Sequence, residues 1–159
     1  MPSGAELLQL EAQARRAGTD LAAAELVGCW RLRMIWPKGS LHAARLSGLL
    51  LQALQATLLI GICATGLTLC NSVQLGPLQL RFLGPGALVG RRPLLQFRFE
   101  RLELRWQQRV LLGRVLAAPE PKRMAFFALI GRDPSGWLAA RGRGGGVALW
   151  ELGPAVDAN

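Results

Sequence analysis

Few side chains in this sequence are of a type and spacing that could carry out catalysis. His42 is the only histidine, and no neighbouring residue stands out as a partner that would make it a general base. Cys29, Cys63 and Cys70 form no Cys-x-x-Cys pair, which predicts small buried thiols. The sequence has no Gly-x-Ser-x-Gly elbow and no metal-ligand cluster. We therefore expect a protein that is not an enzyme and needs no cofactor.

The glycine-rich segment from Arg141 to Gly146 could bind a phosphate through exposed amides or bind RNA as an Arg-Gly-Gly element. Its context fits neither function. Phosphate-binding loops lead into a helix, whereas this segment leads into Val147-Ala148-Leu149-Trp150, which has the composition of a strand. The segment is therefore predicted to be a hairpin turn.

The basic charge is large and unevenly distributed. The formal net charge is +9, and residues 81–159 carry thirteen Lys or Arg against six Asp or Glu. Such a surface could meet nucleic acid or anionic lipid, or could simply be the solvated faces of strands. Nucleic acid is disfavoured, because the Trp and Phe residues fall mostly on the predicted inner parity of the strands instead of alternating with arginine on the outside.

Helices are predicted at the start of the chain, over residues 3–26. Ser3 and Glu6 have the spacing of a capping box, and Gly18 is predicted to divide the segment, with Thr19 or Asp20 capping the second helix. A further helix is predicted over residues 41–55, where Leu, Ala and Gln dominate.

Most of the remaining chain has the two-residue alternation of strands. Gly28 to Trp36 is the first such segment, with Trp30, Leu32, Met34 and Trp36 on one side. Turns are predicted at Asn71-Ser72 and at Gly84-Pro85-Gly86. The parity of the apolar residues changes between Phe99 and Leu102, which predicts a bulge near Glu100-Arg101.

Eight to ten short strands after a helical start predict a mainly β fold, an antiparallel barrel or sandwich. Gly28-Cys29-Trp30 favours a lipocalin-like barrel, in which the tryptophan closes the floor and Arg141 or Arg143 from a late strand lies across its indole. The expected boundaries are a helical lead-in at 1–27, one barrel domain at 28–153 and a disordered tail at 154–159.

A membrane span is the alternative for residues 46–70, which contain no charged residue. That length could cross a bilayer as a helix. Gln52 and Gln55, and the glycines and threonines that follow, instead favour a helix-to-strand transition. A single-span assembly factor of a photosynthetic complex is kept as one alternative function, and a basic nucleic-acid-binding barrel as another.

Several motifs together resemble the plastid lipid-associated protein domain, also called fibrillin or plastoglobulin, of the cyanobacterial type. Residues 26–32 resemble its opening Leu-x-Gly-x-Trp-x-Leu, residues 71–73 its central Asn-containing strand pair, and residues 97–104 its Phe-x-Phe-x-x-Leu-x-Leu strand. Residues 137–149 resemble its closing arginine- and glycine-containing hairpin, although no acidic residue precedes the first arginine here.

The resemblance implies a lipocalin-like barrel that binds or carries a quinone, carotenoid or acyl lipid. It also implies peripheral contact with a membrane surface, at the cytoplasmic side of thylakoids or at lipid droplets, or in the plastid stroma of a eukaryote. Arg141 and Arg143 are predicted to close the barrel or anchor a polar group. The predicted ligand-cavity residues are Trp30, Leu32, Met34, Phe97, Phe99, Leu102, Leu104, Trp106, Phe126 and Phe127.

Overall fold

Two helices precede the strands in this computed structural model, which describes residues 1–40, 42, 56–91 and 93–154. Helix α1 spans Gly4–Ala17 and α2 spans Ala23–Leu26. The capping box predicted at Ser3 and Glu6 is present. Helix α2 begins after Ala22, not after Thr19 or Asp20, because the carboxylate of Glu25 accepts a hydrogen bond from the Ala22 amide at 2.8 Å.

Strands make up most of the described chain, together with one 3-10 turn at Pro121–Arg123. The strands are β1 (Gly28–Trp36), β2 (Thr57–Cys63), β3 (Gly66–Leu75), β4 (Leu78–Val89), β5 (Leu94–Phe97), β6 (Arg101–Trp106), β7 (Arg109–Val115), β8 (Ala125–Asp133), β9 (Trp137–Gly142) and β10 (Val147–Leu152). The helix predicted over residues 41–55, apart from His42, and residues 155–159 of the predicted tail lie outside the described residues.

Eight of these strands close an antiparallel barrel, as the sequence predicted in outline. The ring runs β1-β2-β3-β4-β5-β8-β9-β10 and returns to β1, and every neighbouring pair is antiparallel. Strands β6 and β7 form a hairpin that extends the sheet beyond the ring, because β6 pairs with the first half of β4. Because the ring is closed, none of its strands is an edge strand. The hairpin does have an edge strand, β7.

Strand β4 is the element on which the barrel and the hairpin meet. It pairs with β6 over Leu78–Leu83 and with β5 over Gly86–Val89, so the break between β5 and β6 lies at residues 98–100, next to the predicted bulge. The predicted turn at Gly84-Pro85-Gly86 is wrong, because this segment runs straight through β4. Glycine is needed there for close packing: a Cβ on Gly84 would lie 1.9 Å from the Arg98 carbonyl oxygen.

The turn predicted at Asn71-Ser72 is also wrong. Both residues lie inside β3, and the chain reverses at residues 64–65 between β2 and β3. Ser72 is tolerated within the strand because its hydroxyl lies 2.6 Å from that of Thr57 on the neighbouring strand. This cross-strand pair satisfies a buried polar group.

The barrel interior holds the main hydrophobic core. A chain of ring contacts runs through it, with centroids 5.3 Å apart for Phe97 and Phe99, 5.0 Å for Phe97 and Phe127, and 5.3 Å for Phe127 and Trp150. Trp30 is fully buried in the same cluster, and its indole N–H donates to the Leu26 carbonyl at 2.7 Å. That bond fixes α2 against the start of β1.

A second hydrophobic cluster lies outside the barrel, beneath α1. Leu7 of α1 packs there with Trp36 and Leu149, and Met34 contacts the cluster from its edge. A bulge between Leu32 and Met34 divides β1, so Trp30 and Leu32 face the interior core while Met34 and Trp36 face the helix. The sequence predicted one buried face for β1, whereas in the structure the two halves of the strand bury opposite faces.

The charge-free run at residues 46–70 is described from residue 56 onward, where it forms β2 and the start of β3. Among the described residues, no helix combines the length and the apolar character needed to cross a bilayer. The first part of this run, residues 46–55, for which a helix was predicted and a membrane span kept as the alternative, lies outside the described residues.

Candidate ligand-binding groove

A large groove lies on the outer face of β2, β3 and β4 and reaches the start of β1. Its volume is about 1050 Å³. Helix α1 packs over β8, β9 and β10, so the groove and the helix occupy different parts of the outer surface. The groove is the larger of the two pockets described along the barrel; the other, beside Leu7 and Pro37, has a volume of about 140 Å³.

Strand register places the side chains of the groove. Ile60 and Leu69 point into the barrel core, so their neighbours Leu59 and Cys70 point outward. Leu59 lies opposite Cys29 on one side and Cys70 on the other, and Cys70 lies opposite Leu83. These four side chains form an apolar row across four neighbouring strands, which we call the groove row.

Small side chains next to the groove row leave space above the sheet. Gly61 lies opposite Thr68, and Thr68 lies opposite Pro85. A Cβ on Gly61 would lie 2.9 Å from the Thr68 hydroxyl, so a larger residue could not be accommodated without a shift. The hollow therefore follows from residue size as well as from the curvature of the sheet.

Paired charges border the groove at β4 and at the break between β5 and β6. The Arg81 guanidinium donates to the Cys70 sulfur at 3.3 Å and lies 3.7 Å from the Glu103 carboxylate. Arg98 Nε donates to Glu100 Oε1 at 2.7 Å. Each guanidinium has five N–H donors, so both retain donors that could reach a carbonyl or carboxylate oxygen of a ligand.

All three cysteines line the groove, and all three are free thiols. Cys63 is exposed, and hydrogen bonds from Thr65 lower its pKa below the ordinary range. Burial raises the pKa of Cys29. Cys29 and Cys70 are separated by β2, which at about 4.8 Å per strand puts their Cα atoms about 10 Å apart, beyond the reach of a disulfide.

The thiols of the groove are not accompanied by a metal-ligand cluster. Within the described ranges, no three His, Cys, Asp or Glu side chains come close enough to hold a metal ion. The thiols instead contribute polarizable, weakly polar surface, which suits contact with an apolar molecule.

The predicted ligand-cavity residues lie elsewhere, since none of them lines the groove. Trp30, Leu32, Phe97, Phe99 and Phe127 belong to the interior core or pack against it. Their predicted contact with a ligand stays a prediction.

The other five predicted cavity residues are not in the interior core. Met34 lies at the cluster beneath α1, and Phe126 lies opposite Gln96, on the face of β8 that Phe127 does not occupy. Leu102, Leu104 and Trp106 lie on β6, outside the closed ring.

Arg141 forms a bidentate ion pair with helix α1. Its Nε donates to Glu11 Oε1 at 2.7 Å, its Nη2 donates to Oε2 at 2.5 Å, and its Nη1 donates to the Gly145 carbonyl. The hydrogen bonds from Arg141, with a smaller contribution from Arg15, hold the pKa of Glu11 at about 2. No acidic residue precedes Arg141 in the closing hairpin, and the helix supplies the carboxylate instead.

Arg143 has a different set of partners. Its guanidinium donates to the carbonyls of Met124 at 3.2 Å and Lys122 at 2.8 Å. These bonds tie the closing hairpin to the 3-10 turn that precedes β8. Arg141 and Arg143 thus both fasten segments to the barrel wall.

Sequence reasoning missed the groove, and the reason is physical. Residues 58–62 of β2 are Leu58-Leu59-Ile60-Gly61-Ile62, so apolar side chains occur on both faces and alternation gives no sign of which face is which. The three cysteines come together only through the pairing of β1, β2 and β3. Their shared position would have been visible only once the register was known.

Known proteins give no further guide to this site. A scan against protein-family models, a search of curated proteins and a search of solved structures each found no match. The resemblance to the fibrillin domain therefore rests on the motifs quoted above.

Proposed function

We propose that this protein is a non-enzymatic lipid-associated protein that binds or carries one small apolar molecule in the outer groove. The observation that carries the proposal is the groove row of Cys29, Leu59, Cys70 and Leu83 within a hollow of about 1050 Å³. Ligand sites in proteins usually measure about 300–1000 Å³ and combine apolar walls with a few polar groups. The groove is slightly larger than the upper end of that range and has this composition.

The ligand class follows from the distribution of apolar and charged groups. An elongated apolar body would lie along the groove row, where it removes the exposed part of Leu59 from water. A carbonyl or carboxylate head would lie at the arginine end, near Arg81 and Arg98. Quinones, carotenoids bearing carbonyl groups and acyl lipids all combine an apolar body with such oxygens.

The family resemblance supports the same function and adds a location. An eight-stranded barrel with a Gly-x-Trp start and a late arginine is consistent with a lipocalin-like fold. The fibrillin-like motifs favour the cytoplasmic side of a thylakoid membrane or a lipid droplet as the place of action. The proposed ligand site, however, is the outer groove rather than the barrel interior.

Mass spectrometry of extracted lipid tests the proposal. The protein would be purified without detergent from a photosynthetic host, as the wild type and as Leu59→Glu. Val89→Glu is the matched control, because Val89 is similarly exposed and lies on β4 without lining the groove. We expect near-stoichiometric ligand in the wild type and the control, and at least tenfold less in Leu59→Glu. An empty wild type, or equal ligand in Leu59→Glu, would refute the groove as the site.

A further inference from the structure

The strand at the end of the β6–β7 hairpin is exposed along its whole length. β7 is the last strand in the sheet order, and each of its seven residues is exposed. Leu111 is 60%, Leu112 58% and Val115 83% exposed. Trp106, beside the hairpin turn, is 48% exposed. Strands of soluble proteins normally bury one face, so this apolar exposure on both faces needs a partner to explain it.

Two arginines flank the apolar residues Val110, Leu111 and Leu112 of β7. Arg109 begins β7 and Arg114 lies near its end, and neither forms an ion pair within the described part of the chain. The arginines of β6 differ, since Arg101 pairs with Glu103 at 3.0 Å and Arg105 donates to the Gln108 carbonyl. The two unpaired guanidiniums on β7 therefore remain available for an external anion.

We infer that the β6–β7 hairpin docks the protein onto an anionic lipid bilayer. Arg109 and Arg114 lie at the level of the lipid phosphates, while Val110, Leu111 and Leu112 enter the boundary of the acyl chains. Guanidinium groups bind phosphate oxygens through several N–H donors, and tryptophan prefers the same interfacial depth. This inference rests on the proposed function, because it names the surface through which a lipid-binding protein would reach its ligand.

The charges favour a membrane over a second copy of the chain. Each copy carries a net charge of +9, and pairing two β7 strands edge to edge would bring four unpaired arginines into one small area. An anionic bilayer attracts the same arginines. At the bilayer surface, water and phosphate oxygens can also satisfy the backbone N–H groups along the open edge of β7.

The hairpin is also continuous with the groove. Glu103 of β6 pairs with Arg81, which lines the groove, and Glu100 lines it immediately before β6 begins. β7 lies two strands from β4, which is about 10 Å at about 4.8 Å per strand. A bilayer held at β7 would thus lie close to the arginine end of the groove.

Vesicle sedimentation tests the inference. The full chain is mixed with vesicles of phosphatidylcholine alone and of phosphatidylcholine with phosphatidylglycerol. We expect the wild type to sediment only with the anionic vesicles. Leu111→Ser/Leu112→Ser should weaken this binding at least tenfold, whereas the matched control Leu75→Ser/Val89→Ser, at two other exposed apolar positions, should stay within twofold of the wild type.

The arginines are tested in the same way. Arg109→Gln/Arg114→Gln should lower the partition coefficient about 30-fold at low salt. The control Arg16→Gln/Arg123→Gln removes the same charge from other parts of the surface and should lower the coefficient by less than threefold. Equal losses in both variants would show non-specific attraction by the net charge and would overturn the hairpin as the docking element.

Two further results would overturn the inference. One is a wild type that does not bind anionic vesicles. The other is a wild type that sediments as a dimer in solution and becomes monomeric in Leu111→Ser/Leu112→Ser, which would assign β7 to a second copy. Extracted lipid measured in the same variants separates the two proposals: ligand retained without vesicle binding refutes only the docking, and vesicle binding without ligand refutes only the groove.

Discussion

The ion pair between Glu11 and Arg141 should make the stability of this protein depend on pH in a defined way. The Glu11 side chain is only 4% exposed, and its pKa is about 2 against an ordinary value of 4.5. The folded state therefore keeps the carboxylate ionised at pH values where the unfolded chain binds a proton. A difference of this size corresponds to about 3 kcal/mol of stability at neutral pH.

The direction follows from the lowered pKa. This contribution is complete above about pH 5.5 and declines as the pH falls toward 2. With pKa values of 4.5 unfolded and about 2 folded, about 2 kcal/mol has been lost by pH 3. Other carboxylates add their own pH dependence, so the wild type must be compared with a variant that lacks only this group.

Glu11→Gln removes the titration while preserving the shape of the side chain. We expect it to lower the free energy of unfolding by about 3 kcal/mol at pH 7, because the Arg141 guanidinium is left without its carboxylate. The difference between variant and wild type should shrink by about 2 kcal/mol at pH 3. Urea denaturation at both pH values, followed by tryptophan fluorescence, measures this directly.

Glu120→Gln is the control, since Glu120 is a surface residue whose ion pair with Arg123 is long and exposed. Its free energy of unfolding should stay within about 0.5 kcal/mol of the wild type at both pH values. If Glu11→Gln loses as much stability between pH 7 and pH 3 as the wild type does, the pair does not couple helix α1 to the barrel and the reasoning fails.

Three other perturbations test separate parts of the structure. Gly84→Ala should destabilise the protein by about 1–3 kcal/mol in thermal denaturation, because its Cβ meets the backbone of the β5–β6 break, while Gly113→Ala, with no atom within 4 Å of its Cβ, should change little. Cys63 should react with a thiol reagent before Cys29 at pH 7, since its pKa is lowered and it is exposed; a slower Cys63 would contradict this. Arg143→Ala should speed tryptic cleavage in the loop before β8, and unchanged cleavage would show that its two hydrogen bonds do not order that loop.

The mainly β barrel was predictable because alternation and turn spacing are local signals. The strand over Gly28–Trp36 and the one over Val147–Leu152 follow directly from such patterns. The Ser3 and Glu6 capping box was equally visible, since its two hydrogen bonds join residues three positions apart.

Errors arose where the role of a residue is set by a distant partner. Gly84-Pro85-Gly86 has the composition of a turn, yet the segment lies within β4. At Gly86, the Leu69 side chain and the backbone of β5 occupy the space that a larger side chain would need. Met34 continues the alternation of Trp30 and Leu32 in the sequence, and only the bulge opposite Leu149 and Trp150 turns it outward. Neither long-range contact can be recognised from the local sequence.

The location of the candidate ligand site follows from how the two faces of the barrel wall are filled. Inside, the rings of Phe99, Phe97, Phe127 and Trp150 contact one another in sequence, so a ligand entering among them would have to displace an aromatic contact at each step. Outside, α1 covers the wall at β8, β9 and β10 with its own buried face. The wall at β2, β3 and β4 carries the groove row on its outer face, with an open hollow above it. A small apolar molecule would therefore gain contact at the groove without displacing a ring contact, which is why we propose the ligand site on the outer face of the barrel.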